Sequence, residues 1–280
     1  MKKALHRVLA LVQAAGLDRA LMRLAKLPLL RNYILTNCWE KRTYHSFAEQ
    51  YHQWQRIFAQ ADIRISGKHI LEIGAGGCGG VGYFFLREGA TRWLSTDQYQ
   101  DPQTNQRLRK NEARLRAELR QQTPSFESLV QPEFRCFDAA KLQNDLEGKF
   151  DLLVSSAFFE HVQGEAVSRI ITNMARYLKP GGLMFHEIDL RDHLNVANPH
   201  HFLKYTETQW RRLTENSIFY TNRLRSQDFK EAFVGAGLKL VHLDETQVPL
   251  PKDLPVVEEF RRYRPADLQT TVLIAILQKP

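Results

Sequence analysis

From Lys68 to the end of the chain, short apolar runs alternate with segments whose apolar residues recur at three- and four-residue spacings. Seven of the runs are strand candidates: His69–Ile73, Arg92–Thr96, Phe134–Phe137, Leu152–Ser155, Leu183–Ile188, Leu238–Leu243 and Thr271–Leu277. Strands separated by helical patterns are the sequence form of a parallel sheet with crossover helices, so the alternation commits the chain to an α/β architecture. Val167, Ile170, Ile171, Met174 and Leu178 share one helical face, and Lys179-Pro-Gly-Gly182 is expected to stop that helix before the fifth strand. A helix over about Gln227 to Gly235 ends on glycines before the sixth, and the Pro-rich stretch 248–255 reads as an ordered loop before the seventh.

The first strand runs into the turn Gly74-Ala-Gly-Gly-Cys-Gly-Gly80, a formal G-x-G-x-x-G of the kind that cradles dinucleotides. Glu72 argues against that ligand. A carboxylate two residues before the glycines repels a pyrophosphate and attracts a cation. S-adenosylmethionine carries an ammonium and a sulfonium and no phosphate, so it suits this turn better than NAD does. Asp97, after the second strand, is placed to accept hydrogen bonds from ribose hydroxyls, a role common to both cofactors. Asp138, after the third, can accept from an adenine amino group while the backbone of its neighbour reaches the ring. Taken singly, each aspartate is equally a cap or turn residue; three acids at successive strand ends form a pattern.

In order along the chain, "LEIGAGGCGG", "STD", "FDAAKL", "FDLLVSSAFFEHV" and "LKPGGLMFHEID" resemble the class I S-adenosylmethionine-dependent methyltransferases over about residues 68–280. The resemblance implies a Rossmann-like, doubly wound sheet of seven strands with the last strand antiparallel. It implies that Glu72, Gly74, Gly76 and the backbone of Gly77 to Gly79 meet the methionine part of the cofactor. Asp97 would then take the ribose, Asp138 with Ala139 the adenine, and Ser155 to Phe158 would line the sulfonium pocket. Cys78 departs from the glycine or small residue common at its position. "SSAF" stands where base-directed N-methyltransferases carry an N-P-P-Y type motif, which argues against methylation of adenine or cytosine. "HEIDLRDH", followed by a Trp-containing insertion and "NRLRSQDFKEAFVGAGLKL", is similar to a bacterial subgroup associated with polysaccharide and cell-surface glycan biosynthesis.

The expected division is a helical N-terminal extension over 1–66 and a cofactor-binding methyltransferase domain over 67–280, with an acceptor-side helical insertion at 191–226. The insertion leaves the carboxyl end of the fifth strand, where ligands bind in open α/β sheets. A sugar hydroxyl is a weak nucleophile at neutral pH, so a base is expected near the acceptor. Candidates are His161, which alternatively caps the next helix, and His186, Asp189, Asp192 and His193. Strand alternation turns His186 and Asp189 to opposite faces, leaving Asp189 with His193 as the favoured pair. Asp189, Asp192 and His193 also have metal-ligand chemistry, but no metal is expected without a further acidic cluster. In the insertion, His201, Tyr205, Trp210, Asn222, Arg223 and Arg225 offer an aromatic face and guanidinium forks for a sugar ring or an acidic acceptor, or else pack as a small helical subdomain.

Before the sheet, Tyr44, Phe47, Tyr51, Trp54 and Phe58 form one helical stripe, read as core rather than as a lid. The first thirty residues read as a basic amphipathic helix, packed on the domain or on a second subunit, or lying on anionic lipid, rather than as a secretory signal. Arg107, Arg109, Lys110, Arg114, Arg116 and Arg120 read as solvated helix surface interrupted by Glu112 and Glu118, with RNA contact as the alternative. The net charge of +8 favours an acidic or phosphorylated partner, and the three cysteines fit no disulfide framework and point to the cytoplasm. The leading expectation is O-methylation of a sugar, glycan or similar polar acceptor. A lipid, quinone or RNA acceptor, a non-catalytic S-adenosylmethionine-binding subunit and a NAD-type dehydrogenase are the competing ones.

Overall fold

The computed structural model describes residues 44–76, 79–98, 106–122, 130–195, 197–214 and 220–280. The basic helix expected before residue 44, together with Gly77 and Cys78, lies outside the described residues. In chain order the elements are α1 (Tyr44–Gln60), β1 (His69–Ile73), α2 (Gly80–Arg87), β2 (Arg92–Asp97), α3 (Gln106–Gln122), β3 (Glu133–Cys136) and β4 (Phe150–Ser156). They continue with α4 (Gly164–Tyr177), β5 (Leu178–Asp189), α5 (Glu207–Thr214), α6 (Ser226–Gly235), β6 (Lys239–Gln247), α7 (Pro265–Gln269) and β7 (Thr270–Gln278).

The seven strands form one sheet in the order β3-β2-β1-β4-β5-β7-β6. The first five are parallel, and β7 runs antiparallel to both β5 and β6. This is the expected Rossmann-like sheet with its reversed last strand. The order doubles back between β1 and β4, so the connections leaving their carboxyl ends diverge and open a crevice there. Gly74, Asp97, Asp138, Ser156 and Asp189 all lie at or just beyond those ends.

One face of the sheet packs on α4 and α6 through Leu71, Leu153, Ile171, Met174, Phe229 and Phe233. The other packs on α1, α2 and α3. The aromatic stripe of α1 is core, as its spacing predicts: Trp54 is fully buried, 5.2 Å from Phe185 and 6.1 Å from Phe85, measured between ring centroids. Each such ring is worth roughly 1.5–3 kcal/mol when removed from water. Phe47 sits against Gly80, where a side chain would have no room. Helix α1 and the sheet therefore share one apolar cluster. On α3, Leu115 and Leu119 are buried while Arg109, Lys110, Arg114 and Arg120 face solvent.

β5 begins earlier than expected. It pairs with β4 at Phe150↔Leu178 and again at Leu152↔Leu183, so Lys179–Gly182 bulges out of the ladder. Pro180 has no N–H to give, and Gly181 takes φ +74°, a left-handed conformation suited to glycine. The helix does end before this motif, at Tyr177. Among the described residues no helix is long and apolar enough to cross a membrane.

The insertion builds a third cluster. Leu194, Phe202, Leu203 and Trp210 pack with Phe260, Tyr263 and Leu268 from the β6–β7 connection. It thus forms a small helical layer at the carboxyl end of the sheet.

Candidate active site

On the β1 side of the crevice, the glycine turn is held from beneath. Glu72 is 5 % exposed, and its Oε2 accepts hydrogen bonds from Ser95 Oγ (2.7 Å) and Trp93 Nε1 (3.2 Å) on the neighbouring strand. A Cβ on Gly79 would come within 2.5 Å of Ser95 Oγ, so the start of α2 settles directly on this pair. Glu72, expected to meet the methionine part of the cofactor, is thus fastened to Ser95 and Trp93 at the end of β1. Gly74 (φ +78°) and Gly76 (φ +65°) both adopt left-handed conformations. Gly74 and Ala75 donate to the Thr96 carbonyl, each at 2.9 Å. Phe158 lies so close over Gly74 that a Cβ there would meet it at 2.5 Å, whereas among the described residues nothing lies within 4 Å of a Cβ on Gly76.

Asp97 accepts from the Gly76 N–H at 3.0 Å, tying the end of β2 to the turn. Asp138 accepts from the Ala140 N–H at 2.9 Å, the turn-capping role, and Asn173 of α4 holds the Ala139 carbonyl at 3.0 Å. Ser155 departs from expectation. Its hydroxyl is buried and paired with His186 Nδ1 at 2.9 Å, because strand alternation sends it to the same face as Leu153. Ser156, its neighbour, instead donates to Glu187 at 2.8 Å, an acid that also accepts from Gln53 (2.7 Å) and Trp54 (3.3 Å) of α1.

On the acceptor side, the structure brings His161, Asp189 and His193 together. The two imidazoles lie 5.0 Å apart between centroids, and His193 Nε2 lies 3.4 Å from Asp189 Oδ2. Arg191 clasps Asp189 through its own N–H, Nε and Nη2, at 3.0, 2.8 and 2.6 Å. Burial works to raise the Asp189 carboxyl, but the bonds from Arg191 and His193 outweigh it and hold the group well below the usual carboxylate range. Burial, with His193 alongside, pushes the His161 imidazole down to about 4, so it is neutral at physiological pH. His193 Nδ1 is buried without a hydrogen-bond partner. Asp192 turns away to cap the Leu194 and Asn195 N–H groups at 2.7 and 2.9 Å. Among the described residues no group of three or more His, Cys, Asp or Glu side chains could hold a metal ion.

Glu160 escapes the sequence reading. It is 1 % exposed with both carboxyl oxygens buried, and burial, reinforced by Asp189 and Glu187 and only partly offset by the Glu160 and Asp189 backbone N–H groups, pushes it up to about 8. The one signal in the sequence is its place beside His161 in "FFEHV"; its burial comes from distant segments.

Of the two readings of the insertion's arginines, ligand forks or packing of a helical subdomain, Arg223 and Arg225 follow the second. Arg225 is fully buried and donates to the backbone carbonyls of Leu190 (3.0 Å), Asp267 (3.3 Å) and Thr270, stacked 5.2 Å from the Phe202 ring. Arg223, 6 % exposed, binds the Tyr205 carbonyl and Glu207 and lies 5.0 Å from the Phe260 ring. Trp210 is fully buried and donates to the Thr221 carbonyl at 2.8 Å. Tyr205 packs against Trp210, and His201 pairs with Asp192 at 3.5 Å. These side chains assemble the subdomain.

A family model described as a methyltransferase domain matches residues 44–243. Among solved structures, an S-adenosylmethionine-dependent methyltransferase from Mesorhizobium loti superposes with a TM-score of 0.50 at 16% identity, covering 80% of this chain and 96% of that one. A Listeria monocytogenes protein described in the same terms gives 0.50 at 12% identity, covering 82% and 98%. At such identities the likeness speaks for the fold alone. No curated protein sequence matches the chain.

Proposed function

The chain belongs to the methyltransferase-domain family and is an S-adenosylmethionine-dependent enzyme, and from that premise we propose that it methylates a hydroxyl of a sugar, glycan or similar polar acceptor in the cytoplasm. The observation that carries the reading is the convergence of His161, Asp189 and His193 beyond β4 and β5, next to the glycine turn's Phe158.

The residues present fit the cofactor. Among the described residues nothing crowds Gly76, which leaves room for a ligand, and Glu72, Asp97 and Asp138 suit a cation where a pyrophosphate would be repelled. In this reading Gly74, Gly76, Gly77 and Gly79 hold the methionine part with backbone groups, Asp97 holds the ribose, Asp138 and Ala139 the adenine, and Phe158 forms a wall. When bound, S-adenosylmethionine supplies a methyl carbon on a sulfonium, open to in-line displacement. Orienting an acceptor oxygen against it is worth about 7–11 kcal/mol.

The chain's own part is proton handling. With the His193 Nε2–H turned to Asp189, the lone pair sits on Nδ1, the buried nitrogen that lacks a partner. That atom is the acceptor for a hydroxyl proton, and Asp189, kept ionised by Arg191, stabilises the imidazolium that forms. A base so placed contributes about 10²- to 10⁴-fold. The nearby carboxylates Asp189 and Glu187 disfavour an anionic acceptor and suit a neutral hydroxyl.

The test is transfer of tritiated methyl from S-adenosylmethionine to neutral oligosaccharides, with phospholipid vesicles and RNA as parallel acceptors. Label is expected in the carbohydrate, falling about 10²- to 10⁴-fold in His193→Ala. Label in lipid or RNA and none in carbohydrate overturns the acceptor, and an undiminished His193→Ala overturns the base.

A further inference from the structure

A short stretch without regular secondary structure, residues 220–222, crosses the turn that carries His161. The His161 Nδ1 lies 3.0 Å from the Tyr220 carbonyl oxygen. A carbonyl only accepts, so Nδ1 carries the proton and Nε2 is the ring's basic nitrogen. Asn222 then fastens the stretch to the turn. Its N–H donates to the Glu160 carbonyl at 2.8 Å, and its Nδ2 donates to the Phe159 and Val162 carbonyls at 2.7 and 2.9 Å. Its Oδ1 accepts from the Leu224 N–H at 3.0 Å. All four polar connections of one side chain and its N–H thus go to organising two segments about 60 residues apart in sequence.

The far side of the stretch is anchored too. Trp210 donates to the Thr221 carbonyl, and the Tyr220 hydroxyl donates to Gln163 at 3.1 Å. Arg223 follows with φ +59°, a left-handed conformation that a side chain rarely adopts, held by its bonds to Tyr205 and Glu207. Such a backbone persists only where its surroundings over-determine it, and strain of this kind concentrates at functional sites. We propose that residues 220–222 preset the tautomer of His161 and that Asn222 is the positioning residue holding them in place, so that Nε2 is the basic nitrogen of the imidazole beside His193. The inference rests on reading this histidine pair as the acceptor side. Packing alone would need neither a fixed tautomer nor two side-chain bonds and an N–H bond from one asparagine to the His161 turn.

The test needs no acceptor. In the full-length chain labelled with ¹⁵N-histidine, the His161 ring signals, identified by their loss in His161→Gln, report which nitrogen is protonated. The wild type is expected in the Nδ1–H form. Asn222→Ala and the isosteric Asn222→Asp are each expected to shift the tautomer ratio toward Nε2–H by about fivefold or more, the equivalent of one hydrogen bond, while S-adenosylmethionine binding by calorimetry stays within about twofold. A wild-type His161 in the Nε2–H form overturns the proposal. So do folded variants whose His161 signals match the wild type, and loss of cooperative melting in both variants, which makes Asn222 a folding residue only. Failure of methyl transfer to carbohydrate would refute the acceptor reading and leave this result standing.

Discussion

Glu160 makes the electrostatics of the acceptor side measurable. Its carboxyl is 1 % exposed and is pushed from an ordinary 4.5 up to about 8 by burial and by Asp189 and Glu187, against a smaller opposing effect of the Glu160 and Asp189 backbone N–H groups. The unfolded chain loses this proton near pH 4.5 and the folded chain keeps it to about pH 8. The group's contribution to stability is therefore complete below pH 4.5 and is lost as pH rises through 8, at about 1.4 kcal/mol per pH unit. Over the whole interval that is on the order of 5 kcal/mol. Glu160→Gln keeps the shape and cannot ionise. Other titrating groups are common to both proteins, so the difference between their profiles isolates this carboxyl, and any packing cost of the amide is an offset independent of pH. Urea denaturation midpoints between pH 5 and 8.5 provide the assay, with slopes checked for constancy. The variant is expected to gain on the wild type steadily as pH rises. Parallel profiles would refute the buried, protonated carboxyl.

Gly74→Ala combines a left-handed backbone with a collision against Phe158, so S-adenosylmethionine binding by calorimetry is expected to weaken at least about tenfold; unchanged affinity would remove the close approach from the account. Arg225→Met leaves the carbonyls of Leu190, Asp267 and Thr270 without their donor and is expected to cost about 3–5 kcal/mol in chemical denaturation. A loss below about 1 kcal/mol would mean that the guanidinium does not join β5, β7 and the insertion.

Much of this molecule is legible before its structure. The β strands announce themselves because five of them are sandwiched between helices and are apolar on both faces, and the acids after β1, β2 and β3 stand out against those runs. His161, Asp189 and His193 can be chosen because each follows a strand end. The failures share a cause. Arg223 and Arg225 could be read as ligand forks or as packing residues, and the sequence does not decide between them because the carbonyls that Arg225 caps lie 35 to 45 residues away and leave no local pattern. Ser155 and Ser156 differ only in phase, and one hydroxyl goes to the interior while the other goes to Glu187. Glu160 sits in a short turn outside any periodic element, where no pattern foretells burial.

The central claim is that a glycine turn with Glu72 beneath it and Asp97 tied to it holds a phosphate-free, cationic nucleoside. Calorimetric titration of the full-length protein with S-adenosylmethionine and with NAD tests it most directly. The account predicts saturable S-adenosylmethionine binding that weakens at least about tenfold in Asp97→Ala, and no NAD binding. NAD binding without S-adenosylmethionine binding would contradict it.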